Sequence, residues 1–73
     1  MATVAAINAQ LDASGTGMGA EIQLSVLGAV AGSKDEHYVL GGGLYPGRCR
    51  WVQTNTGDTA AAQATTIRNK MLE

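Results

Sequence analysis

The chain has 73 residues and a formal net charge of −1. Its five basic residues, Lys34, Arg48, Arg50, Arg68 and Lys70, are scattered, which leaves no electrostatic footprint for a nucleic-acid backbone. No apolar run is long enough to cross a membrane, the start at Met1-Ala2-Thr3-Val4 lacks the pattern of a secretory signal, and a lone cysteine excludes an internal disulfide.

This length predicts a single domain covering residues 1–73, at the small end of what folds alone. Hydrophobic residues are 45% of the chain, but twelve are alanines and none is phenylalanine. Burying a large apolar side chain contributes about 1.5–3 kcal/mol, whereas ordering each residue costs about 1–2 kcal/mol in backbone entropy. Small scaffolds close that gap with disulfides, metals or oligomerisation. With one Cys and one His, neither a disulfide nor a protein-made metal site is expected, nor any cofactor. Oligomerisation or docking on a larger assembly remains, and low net charge favours it.

In chain order, residues 3–13 read as a helix. Val4, Ile7 and Leu11 share one face, Thr3 can cap the start and Gly15 can end it. Residues 12–19 then form a loop. From 20 to 31 the period becomes two: Ile22, Leu24 and Val26 alternate with Glu21, Gln23 and Ser25, and Gly28 interrupts as a possible bulge. After a polar turn, a second strand covers 36–40 and runs into Gly41-Gly42-Gly43. That run suggests a hairpin tip, a hinge, a close backbone contact or a mobile loop. Tyr45-Pro46-Gly47-Arg48 fits a type II turn. A third strand, 48–54, places Cys49, Trp51 and Gln53 on one side and Arg50, Val52 and Thr54 on the other. Asp58 is the expected N-cap of a final helix over 59–72 with the stripe Ala60, Ala64, Ile67 and Met71. The predicted fold is α+β: a small three-stranded antiparallel meander with a helix at each end, α-β-β-β-α.

Catalytic chemistry finds little support in the sequence. Gly15-Thr16-Gly17-Met18-Gly19 lies between a helix and a strand, the wrong order for a phosphate-binding loop. His37 is expected to be exposed at the start of a strand; Asp35 and Glu36 are its neighbours in sequence, but adjacent residues on a strand point to opposite faces, so no catalytic pair is expected. Cys49, flanked by two arginines that a strand would aim away from its sulfur, reads as a buried small residue. Tyr45, Arg48, Arg50 and Trp51 form the most informative cluster, because these residue types are enriched at binding hot spots. Trp51 either fills the core or anchors an interface.

The expected function is non-enzymatic: a structural or assembly protein that packs on itself as a homo-oligomer or on a larger particle. The composition suggests a bacteriophage virion component of the capsid-decoration or tail and neck type, in the virion or the cytoplasm. Alternatives are a small inhibitor of a host enzyme or defence complex, and a thiol-dependent redox protein using Cys49.

Overall fold

A computed structural model describes residues 2–12, 19–30, 32–43 and 46–73. The element order is α1 (Val4–Asp12), β1 (Glu21–Val26), β2 (Lys34–Leu40), β3 (Cys49–Asn55) and α2 (Ala60–Met71). The strands form one antiparallel sheet in the order β1-β2-β3. The α+β meander with a helix at each end is therefore the fold of this chain.

Thr3 caps α1, its Oγ1 accepting from the Ala6 N–H at 3.1 Å. Ile7 and Leu11 on the inward stripe are fully buried. The stop expected at Gly15 and the rest of the 13–18 loop lie outside the described residues. The cap of α2 is Thr59 rather than Asp58: Thr59 has extended backbone, and its hydroxyl accepts from the Ala62 N–H at 3.1 Å. The stripe expected on α2 is present, with Ala64, Ile67 and Met71 buried. The two helices pack against each other and against the same side of the sheet, α1 over β1 and α2 over β3. Together with Ala20, Ile22, Val39 and Val52 they enclose a core that, among the described residues, contains neither tryptophan nor tyrosine.

β1 departs from simple alternation. The register with β2 shifts between Ile22 and Leu24, so Ile22 faces the helices while Leu24 and Val26 turn outward and Ser25 turns inward. The bulge thus falls four residues or more before Gly28. Close by, the Ile22 N–H, which faces away from β2, donates to Asn8 Oδ1 of α1 at 2.8 Å. Gly28 serves another purpose, described below.

Close backbone contact explains the glycines at the far end of the sheet. A Cβ on Gly42 would lie 2.8 Å from the Gly19 carbonyl oxygen, and Gly19 itself has φ +57°. The entry to β1 and the exit of β2 are in contact there with no room for a side chain. Gly47 has φ +77°, as the third position of a type II turn requires.

Candidate functional site

The two faces of the sheet are built from opposite chemistry. On the inner face of β2, Asp35, His37 and Val39 alternate inward, and all three are buried. His37 is 0% exposed, which overturns the expectation of a surface histidine. The strand begins at Lys34, two residues earlier than expected, so His37 lies within the sheet with a neighbour on each side. Its Nδ1 meets Ser25 Oγ of β1 at 2.7 Å, and its Nε2 meets Thr54 Oγ1 of β3 at 2.8 Å. Each hydroxyl can donate or accept, so either tautomer of neutral imidazole is satisfied. Burial pushes the imidazole below its ordinary value of 6.5, against the opposing pull of Asp35.

Asp35 is the centre of the network. Its Oδ1 accepts from the Gly28 N–H at 2.6 Å and from Thr56 Oγ1 at 2.6 Å, and its Oδ2 accepts from Gln63 Nε2 of α2 at 3.0 Å. Burial alone would raise this carboxyl. The hydrogen bonds from Thr56, Gly28 and Gln63, together with nearby His37, outweigh burial and hold it below its ordinary 3.8. Gln63 also donates to Thr54 Oγ1 at 3.0 Å, which closes a path from Asp35 to His37. Gly28 has to be glycine here, since a Cβ would lie 2.4 Å from Thr56 Oγ1 and 2.6 Å from Ser33 Cβ.

The Ser25–His37 contact has the atoms of a nucleophile and its base but not the setting. His37 has no exposed surface, and its second nitrogen meets a hydroxyl rather than an orienting carboxylate. The network ties β1, β2, β3 and α2 together. Among the described residues, no group of three or more His, Cys, Asp or Glu converges to hold a metal ion.

The outer face has no helix over it. Pairing places Leu24, Tyr38 and Trp51 side by side across the three strands, with Leu40 beside Cys49 in the next row. Leu24 is 57% exposed and Trp51 56% exposed, and the Tyr38 and Trp51 rings lie 5.4 Å apart at a tilt of 54°. Trp51 therefore does not fill the core, whose inward positions on β3 are Val52 and Thr54. Cys49 is likewise exposed rather than buried, because it shares the outward parity of Trp51. The neighbouring Cys49 thiol, with a smaller effect of burial, holds the Tyr38 phenol above its ordinary 10.0. The far end of the face is polar: Gln53 Nε2 donates to Glu36 Oε1 at 2.8 Å, and Lys34 Nζ donates to Asn55 Oδ1.

Of the four residues singled out from the sequence, the three that are described fall on two faces of the sheet. Trp51 stands on the outer face. Arg48 and Arg50 turn to the helix side, where their Nη1 atoms donate to the Met71 and Lys70 carbonyl oxygens, each at 2.6 Å. They complete the C-terminus of α2, where backbone oxygens lack intrahelical donors and cations suit the helix dipole. Arg50 also lies 3.7 Å from the Glu73 carboxylate. Tyr45 lies outside the described residues. The sequence reading missed Leu24 and Tyr38 as partners of Trp51, and it missed the Asp35–His37 spacing of two that puts both on one strand face.

No protein-family model, curated protein or solved structure matches this chain.

Proposed function

We propose that this protein is a non-enzymatic assembly protein that docks through the outer face of its sheet onto another protein surface. The row Leu24–Tyr38–Trp51 carries this reading. Among the described residues the core holds neither tryptophan nor tyrosine, and the single tryptophan stands with a tyrosine on the side that the helices leave open. Contiguous exposed apolar surface marks interaction sites, and Trp and Tyr are hot-spot residues. The polar rim of Glu36, Gln53, Lys34 and Asn55 is already hydrogen-bonded, so a partner would not strand those groups when it covers the apolar centre. Low charge and richness in Gly, Ala and Thr favour a virion part, a capsid-decoration or tail and neck component, as the particular form of this activity.

Trp51 is the only tryptophan, so its fluorescence reports on the face directly. In dilute native protein its emission should be that of a wet indole, open to a soluble quencher. Trp51→Ser should change the unfolding free energy of the monomer by no more than about 1 kcal/mol, the worth of an aromatic pair at a surface. An indole shielded from quencher in a protein shown by light scattering to be monomeric would overturn the reading.

A further inference from the structure

The outer face is small for the task. Three strands about 4.8 Å apart, six residues long in β1 and seven in β2 and β3 at about 3.3 Å per residue, span roughly 14 by 23 Å at most, a footprint of roughly 330 Å². A stable specific interface takes about 800 Å² from each partner. The question is therefore what enlarges the face, and the two edges of the sheet answer it differently.

At the β1 edge, the bulge interrupts the ladder and the Ile22 N–H is already taken by Asn8. Glu21 adds a charge there. The β3 edge is unbroken over Cys49–Asn55, and within the described residues β3 pairs with β2 alone. Its free groups follow from the ladder. Gly41 N–H bonds the Arg48 carbonyl, Thr56 N–H bonds the Ser33 carbonyl, and antiparallel pairs alternate. Arg50, Val52 and Thr54 therefore direct their backbone groups at β2, and Cys49, Trp51 and Gln53 direct theirs outward. Asn55 shares that outward parity, but its carbonyl is occupied by the Asp58 N–H and by Gln63 Nε2. The only charged side chain of β3, Arg50, is turned to the helix side and engaged with the Lys70 carbonyl and Glu73, so two such edges meet without like charges opposed.

We propose that a second copy of this chain pairs antiparallel along β3, two-fold about Trp51, so that two three-stranded sheets become one sheet of six strands. This rests on the assembly reading and names its first partner. The register opposes Trp51 to the other copy's Trp51 and Cys49 to the other copy's Gln53, and it engages every free backbone group of Cys49, Trp51 and Gln53. The outer faces then join in one row, Leu24–Tyr38–Trp51 continued by the same residues in reverse, and the footprint doubles to roughly 650 Å², close to what docking on a larger particle requires.

Two variants of the full chain test the register. Proline at an edge position removes an outward N–H without disturbing the existing ladder. Gln53→Pro should therefore give a folded protein with unchanged far-ultraviolet circular dichroism that runs as one copy, while the native chain at tens of micromolar scatters light as twice the 7.5 kDa of a single chain. Gln53→Cys places a thiol opposite the native Cys49 of the other copy. Within one chain those positions lie about 13 Å apart and cannot bridge. Mild oxidation should then give a reducible dimer far faster than in the native chain.

A native chain that scatters as one copy overturns the edge pairing, and the open face then serves a different protein. Association that survives Gln53→Pro but is lost in Trp51→Ser also overturns it, placing the contact on the face. Association untouched by either variant overturns both this inference and the docking reading.

Discussion

The two sides of this sheet invert the usual division between inside and outside. The covered side carries a carboxylate, an imidazole, a hydroxyl and a carboxamide at one end of its core. The open side carries a leucine, a tyrosine and a tryptophan in a row. Most of the buried polar groups are held by one another: Asp35 alone accepts three hydrogen bonds from separate parts of the chain, while the Gln63 side-chain oxygen is buried without a partner among the described residues. The exposed apolar row has no covering layer among the described residues, and the proposed docking rests on that difference.

The comparison breaks most sharply at Asp35. Asp35→Ala should destabilise the fold by about 3 kcal/mol, because the part-buried donors of Gly28 and Thr56 lose their acceptor and the buried Gln63 is left with Thr54 and Asn55 alone. A domain of this size has in total roughly 4–11 kcal/mol, so the variant should be largely unfolded on mild heating. A melt within 1 kcal/mol of native would mean that the network is decoration. Gly28→Ala comes next, at about 2 kcal/mol, since its methyl group would meet Thr56 and Ser33 at overlapping distances. A neutral result in urea titration would show that the β1–β2 connection is free to move aside.

Acid should give a smaller, graded effect. Both His37 and Asp35 have depressed values in the fold, so the unfolded chain binds more protons and stability rises with pH. The His37 share is whole above about pH 6.5 and is lost as pH falls below that toward the folded value. The Asp35 share is whole above about 3.8 and is lost below it. In the upper window one proton gives a slope of at most about 1.4 kcal/mol per pH unit. Denaturant midpoints that stay flat from pH 7 to pH 5 would contradict the burial of His37. The smallest effect on the fold belongs to Trp51→Ser, within about 1 kcal/mol, although the residue is the largest in the chain.

The sequence made the elements legible where a period or a cap was strong: Thr3 and the Val4–Ile7–Leu11 stripe, the Ala64–Ile67–Met71 stripe, and the parity of β3. It misled wherever pairing or a hydrogen bond from elsewhere in the fold decided the outcome. Leu24 and Val26 look like core partners of Ile22, and they leave the core because the register with β2 shifts between Ile22 and Leu24, which no period in the sequence announces. His37 looks like a surface residue because its hydroxyl partners come from two other strands. Trp51 looks equally suited to core or interface, since alternation fixes which residues share its side and not which side the helices cover. The arginines beside it in sequence were read with it, yet strand parity sends Arg50 to the opposite face.

The bulge in β1 also bears on how many copies can join. A sheet with two equivalent open edges is a template for indefinite growth, whereas this one has a single clean edge and one spoiled by the register slip and the Asn8 bond. Pairing along β3 about a two-fold axis uses up that edge in both copies and leaves only blunted ones at the ends. On the proposed pairing, the slip near the start of one short strand would act as a stop signal against filaments, built into each molecule before any partner arrives.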